Sequence, residues 1–222
     1  SFAGASYHGY QLGSGNYVLS TDDSGTRSGA NNVNTVLAAL NGVATSLSGG
    51  NNANDLLFGA SGADSLDGAS GNDLLVGNAG NDSLTGGNGD DVLFGGVGVD
   101  TYVLGNNAGS DRIVFTAIGE SGTGAGNRDT VSGFNTGVVG AGNQGDVIDI
   151  GDLLTGFTNL PVTLSVANLV GSGHLNFSGV NNNNDTVVRF DADGSNGIAD
   201  ASFGSQTDFT DSCARCSMYG AQ

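Results

Sequence analysis

The sequence contains no lysine and no tryptophan, one glutamate (Glu120), one proline (Pro161) and two cysteines. Its five basic residues are all arginine: Arg27, Arg112, Arg128, Arg189 and Arg215. Against them stand 22 acidic residues and a net charge of −17, so 22 − 1 = 21 of the acids are aspartate. A chain this acidic has little to offer a nucleic-acid backbone, whose phosphates need basic partners, or an anionic membrane surface. No apolar run reaches the length needed to span a bilayer as a helix. Cys213 and Cys216 form half of a zinc site at most and lack the βαβ setting of a redox motif. They read as a local disulfide or as two free thiols. The two histidines, His8 and His174, are far apart in sequence and read as packing or surface residues. With one glutamate and no lysine beside them, little remains for acid–base catalysis. Neither His-Glu-x-x-His nor Gly-x-Ser-x-Gly occurs. The sequence therefore points away from an enzyme. Ser1 opens the chain without a leader, which reads as a processed chain or a fragment.

What the sequence has in quantity is glycine, 41 residues of 222. The period is nine rather than three, which excludes collagen. From Gly50 to Val103 the chain divides into GNNANDLLF, GASGADSLD, GASGNDLLV, GNAGNDSLT, GGNGDDVLF and GGVGVDTYV. Position one is always glycine (Gly50, Gly59, Gly68, Gly77, Gly86, Gly95), and position six is always aspartate (Asp55, Asp64, Asp73, Asp82, Asp91, Asp100). Position eight is leucine until Tyr102. Glycines permit a tight turn, and the triplet after each aspartate reads as a short strand with its middle side chain inward. If two units make one coil, coils stack at about 4.8 Å. Aspartates two units apart then lie side by side and repel by roughly 1–3 kcal/mol. A hard cation reverses that sign, and Ca²⁺ takes six to eight oxygens from carboxylates and carbonyls.

The pattern resembles the RTX nonapeptide G-G-x-G-x-D-x-U-x, a calcium-binding parallel β-helix repeat. The resemblance implies a mainly β fold, a parallel β-roll or β-helix, with about four or more Ca²⁺ ions. The aspartate pairs Asp55/Asp73, Asp64/Asp82, Asp73/Asp91 and Asp82/Asp100 would flank them. The resemblance adds carbonyls of positions two and four: Asn51, Ala53, Ala60, Gly62, Ala69, Gly71, Asn78, Gly80, Gly87, Gly89, Gly96 and Gly98. After the roll, Asp100–Leu104, Asp129–Phe134 and Asp146–Ile150 are similar to the wider closing coils of RTX proteins. Asp129, Asp146 and Asp149 are further candidate ligands, with a turn role as the alternative. Asp191 and Asp193 lie in DADGSNGIAD, which has calcium-loop spacing but no glutamate at position twelve. Residues 146–204 resemble the C-terminal module of bacterial adhesins exported by type I secretion, whereas the cysteine-containing tail does not. Ice binding, another RTX use, needs an outward threonine ladder. Position three (Asn52, Ser61, Ser70, Ala79, Asn88, Val97) offers none.

The two faces of such a roll are unequal. Odd units flank their inward leucine with Leu56 and Phe58, Leu74 and Val76, Val92 and Phe94; even units use mostly serine, threonine and aspartate. An apolar outer face favours burial against another part of the chain or self-association. N-terminally, NYVLSTDD reads as a short strand. Val33, Val36, Leu37, Leu40, Val43, Ala44 and Leu47 recur at helical spacing. They predict a helix over Asn32–Leu47, with Asn31 or Asn32 as its N-cap, lying as a cap on the roll. The expected organisation is an N-terminal segment with this helix (1–48), the roll (49–104) and a roll extension with a β cap (105–222). In the last part VTLSVANLV, GHLNFSG and DTVVRFDAD read as antiparallel strands, and 119–127 and 136–145 as loops. The functional expectation is an extracellular, secreted calcium-binding module of an adhesin or exoprotein. The alternative is a structural subunit of a calcium-assembled filament or surface layer.

Overall fold

The computed structural model describes residues 7–12, 16–21, 26–39, 42–105, 109–117, 119–121, 127–135, 145–156, 161, 166–172, 175–180, 185–190 and 201–205. His174, the DADGSNGIAD segment, both cysteines and most of the two predicted loops lie outside them. The strands in chain order are β1 Tyr7–Leu12, β2 Asn16–Thr21, β3 Thr26–Ser28, β4 Thr35–Ala39, β5 Ser46–Ser48, β6 Leu56–Phe58, β7 Ser65–Asp67, β8 Leu74–Ala79 and β9 Ser83–Thr85. They continue with β10 Val92–Val97, β11 Thr101–Val103, β12 Arg112–Val114, β13 Asp129–Ser132, β14 Val147–Asp149, β15 Leu175–Val180, β16 Asp185–Phe190 and β17 Ala201–Ser205. A six-residue helix, α1, covers Val166–Gly171.

From β2 to β14 the chain alternates strand by strand between two sheets, which makes a β-solenoid. The first sheet is ordered β1-β2-β4-β6-β8-β10-β12-β14, the second β15-β16-β17-β13-β11-β9-β7-β5-β3. Within the coils all pairing is parallel, and the nonapeptide register holds: Leu57, Leu75 and Leu93 align in one sheet, Leu66, Leu84 and Tyr102 in the other. A three-residue strand sends one side chain inward, so the core is two facing columns. Both are fully buried through the repeats, and Leu37, Leu47, Ile113, Val131 and Ile148 extend them beyond the repeats at both ends. Each buried leucine contributes roughly 1.5–3 kcal/mol. Leu153 and Leu154, in a 3₁₀ turn after β14, are also buried in this core.

The predicted helix over Asn32–Leu47 is not formed. The segment is another coil: β4 pairs with β6 and β5 with β7, in the sheets of the repeats. Leu37 and Leu47 are its two inward residues, one per strand; Leu40 lies outside the described residues. Asn32, offered as an N-cap, is a turn residue at φ 60. The misleading periodicity came from apolar residues on both faces of β4, where inward Leu37 is flanked by outward Val36. Gly42 and the β-branched residues gave weak helical preference. Pairing with β6 and β7 decided the matter.

The predicted strand β2 is present, and so are the wider closing coils: β11 pairs with β13 and β12 with β14, all parallel. Of GHLNFSG and DTVVRFDAD, the described residues fall in the antiparallel pair β15 and β16. VTLSVANLV is the second correction, since its last five residues open α1. Ala167 and Leu169 are good helix formers, and Ser172 N–H closes the turn on the Asn168 carbonyl at 2.9 Å.

Glycine at position four answers to coil stacking. A Cβ on Gly89, at φ 131, would strike the carbonyl oxygen of Gly71 one coil earlier, whereas Gly119, at φ 94, faces open space. Left-handed backbone strain alone costs about 1–3 kcal/mol. Gly89→Ala should therefore lower the denaturant midpoint clearly more than Gly119→Ala; equal losses would show that stacking plays no part.

Candidate metal centre

A strand in a narrow coil begins directly after its corner aspartate. The corner N–H needs an acceptor outside the ladder, and the aspartate of the next coil supplies it. Asp55 N–H donates to Asp73 Oδ1 at 2.6 Å, Asp64 to Asp82 at 2.8 Å, Asp73 to Asp91 at 2.9 Å and Asp82 to Asp100 at 2.9 Å. The column starts before the repeats, where Thr35 and Thr45 occupy the corner and donate to Asp55 and Asp64. It runs on after them: Asp91 donates to Asp111, Asp111 to Asp146, and Asp100 to Asp129, all at 2.8–2.9 Å. All nine aspartates named here are buried.

Each carboxylate has a second oxygen. Asp55 Oδ2 accepts from Gly50 N–H and Asp64 Oδ2 from Ala60 N–H; at the far end Asp146 Oδ2 accepts from Asn135 N–H. Between these ends, Oδ2 of Asp73, Asp82, Asp91, Asp100 and Asp129 is buried with no hydrogen-bond partner among the described residues. Backbone conformation divides the repeats at the same place. Units three to six carry positive φ at positions two and four: Ala69 and Gly71, Asn78 and Gly80, Gly87 and Gly89, Gly96 and Gly98. In units one and two, Asn51, Ala53, Ala60 and Gly62 do not, and only Asn52 is left-handed.

An unpaired buried carboxylate oxygen is costly, so each of these five oxygens needs a cation or a proton. The surroundings favour a cation. A Cβ on Gly68 would lie 2.5 Å from both Asp73 Oδ2 and the Gly86 carbonyl oxygen. The position-one glycine thus lets the carboxylate of its own unit and a carbonyl of the next coil approach each other closely, as Gly59 does for Asp64 and Gly77. Among the described residues no three His, Cys, Asp or Glu side chains gather as a metal-binding group. The carboxylates come in pairs, and the remaining ligands would be backbone carbonyls, a hard, all-oxygen donor set that suits Ca²⁺.

The family model of the RTX calcium-binding nonapeptide repeat (4 copies) matches over residues 49–82 and again over 67–102. Residues 49–102 are RTX repeats. No curated protein matches the chain. The RTX segment covers the column from Asp55 to Asp100. The corner bonds of Thr35, Thr45, Asp111, Asp129 and Asp146 lie outside it. Asp111 escaped the sequence reading because it sits 20 residues after Asp91 rather than 18; its signal was Asp-Arg-Ile-Val, an aspartate followed by a strand triplet. A second ladder was also missed. At position five Asn54 N–H donates to Asn34 Oδ1, Asn72 to Asn54 and Asp90 to Asn72, on the exposed side of the corner. Asp149 stands apart from the column: it accepts from Gly151 N–H and pairs with Arg112 at 3.8 Å. Asp191 and Asp193 lie outside the described residues.

Without a cation, burial, reinforced for most of these groups by neighbouring carboxylates, raises Asp73, Asp82, Asp91, Asp100, Asp111, Asp129 and Asp146. Asp73, Asp100 and Asp111 go to about 7, Asp82 and Asp91 to about 6, and Asp129 to about 8, from an ordinary 3.8. The folded values lie above the unfolded one, so the folded state holds the proton more tightly. That stabilisation is full below about pH 4 and is lost as pH rises through 6–8. In chelator, stability should fall between about pH 5 and pH 8. With Ca²⁺ the fall should disappear, because the ion displaces the proton. A chelated protein that gains stability over this range would contradict the assignment.

Proposed function

We propose that the chain is an extracellular calcium-binding RTX module that folds on Ca²⁺ binding after type I secretion, as part of an adhesin or similar exoprotein. The observation that carries this reading is the run of five buried, unpartnered carboxylate oxygens through the coils. Removing water from them without a counter-charge opposes folding. In a calcium-poor cytosol the acidic coils repel and remain unfolded, a state suited to export through a channel. Outside, Ca²⁺ at about 10⁻⁴–10⁻³ M neutralises the column, and its binding energy becomes folding energy. The net charge of −17 strengthens the repulsion in the absence of the ion.

A second reading, a subunit of a calcium-assembled filament or layer, is favoured by the outer face of the first sheet. Leu56 is exposed there, and Phe58, Leu74, Val76, Val92 and Phe94 are only half-buried. Sedimentation velocity in chelator and then in millimolar Ca²⁺ separates the two. The module predicts a slow species converting to a compact monomer, and the subunit predicts large species. The double variant Asp73→Ala/Asp82→Ala should lose most of the calcium response; a full response in that variant would overturn the calcium mechanism.

A further inference from the structure

The column of unpartnered carboxylates does not stop where the nonapeptides stop. β13 pairs with β11 as β11 pairs with β9, although the first step spans 29 residues and the second 18. Corner contacts are the same at both steps. Asp100 N–H donates to Asp129 Oδ1 at 2.8 Å, as Asp82 N–H donates to Asp100 Oδ1 at 2.9 Å. Thr130 N–H donates to the Asp100 carbonyl at 2.8 Å, as Thr101 N–H does to that of Asp82, also at 2.8 Å. The turn is continued too. Gly98 bridges to Ser121 in parallel and donates its N–H to the Glu120 carbonyl at 3.3 Å, so the Glu120–Ser121 peptide replaces the missing nonapeptide turn.

Asp100 and Asp129 are both 0 % exposed, and Oδ2 of each is buried without a partner. The nearby acid Glu120 is otherwise engaged, since its carboxylate accepts from the N–H and hydroxyl of its own neighbour Thr116. Asp129 N–H, for which no further corner aspartate is supplied, donates to Ser121 Oγ at 2.9 Å. Tyr102 stands where the other units have leucine. Its hydroxyl accepts from Gly95 N–H at 2.9 Å and adjoins Asp100 Oδ2, since a Cβ on Gly95 would meet both.

We propose that a Ca²⁺ ion binds between Asp100 and Asp129, in a coil built without a nonapeptide. Oδ2 of both aspartates would hold it, together with backbone carbonyls of the turns at 96–98 and 119–121. The donor set is oxygen only, which suits a hard divalent cation. The inference rests on the calcium reading of the repeats and extends it past residue 102. It also gives the site an optical label, because Tyr102 is the only tyrosine between Tyr17 and Tyr219.

The experiment is calcium stoichiometry by calorimetry on the full chain, paired with tyrosine-sensitised terbium luminescence. Asp129→Asn keeps an Oδ1 acceptor for Asp100 N–H but removes the charge. It should bind one ion fewer than the unmodified chain and lose part of the sensitised emission, the remainder coming from the ion between Asp82 and Asp100. Asp73→Asn, in the separate line of corner bonds through Asp55, Asp73, Asp91, Asp111 and Asp146, should also lose an ion but keep that emission. Unchanged stoichiometry and emission in Asp129→Asn would overturn this site while leaving the repeat sites standing. Absence of any calcium binding by the unmodified chain would instead remove the parent reading, and this site with it. Should Asp129→Asn not fold, Asp129→Ser decides by the same count: one ion fewer supports the site, and an unchanged stoichiometry overturns it.

Discussion

Everything in this molecule depends on how a buried aspartate at a coil corner divides its two oxygens. One oxygen accepts the corner N–H of the coil before it, an acceptor that the β ladder does not provide. That bond is charge-assisted and worth about twice a neutral one, and it is repeated at each step of the stack. The other oxygen, through the middle of the stack, has no hydrogen-bond partner among the described residues. Alanine at the corner would leave the N–H orphaned. Asparagine would keep the acceptor and lose the charge. Aspartate alone does both, which explains the nine corner aspartates. Glutamate would carry the charge one methylene further from the corner.

The same column explains why the roll has ends of a different character. At the N-terminal end threonines stand at the corner, and the first aspartates turn Oδ2 back to N–H groups of their own units. At the C-terminal end Asn135 N–H satisfies Asp146, and Ser121 accepts from Asp129 N–H. Closed, neutral contacts thus bracket an interior stretch of open carboxylates. The change from ordinary to left-handed turns at unit three falls at the same boundary. Conformation of the glycine-rich turn and availability of the carboxylate oxygen therefore change together.

The core is narrow, one side chain per strand, so each coil depends on its neighbours above and below for burial, as in other solenoids. This linear dependence suits folding that follows an ion along the stack. It also leaves the outer face of the first sheet apolar. Val36, Leu56, Leu74 and Val92 form one outward row and Ala38, Phe58, Val76 and Phe94 a second. The second sheet instead presents Ser65, Asp67, Ser83 and Thr85.

The nine-residue period was enough to establish the coil, the inward leucine column, the pairing of corner aspartates and the inequality of the two faces. A period of two units equals one turn of the solenoid, so sequence spacing translates directly into neighbours in space. Where the period ended, that translation ended with it. Residues 32–47 looked helical because apolar side chains on both faces of a strand imitate a helical stripe, and only pairing with the next coil resolved the ambiguity. Asp111 and Asp129 stand in the column although they lie 20 and 29 residues from their neighbours. Loop length between stacked strands is free to vary while the stack fixes the corner. By itself, then, the sequence determined the repeating coil and the chemistry of its corners. The tertiary structure alone decided that the segment before the repeats is another coil, that Asp111 stands at a corner and which carboxylate oxygens remain open, because these depend on contacts between residues that no fixed spacing connects.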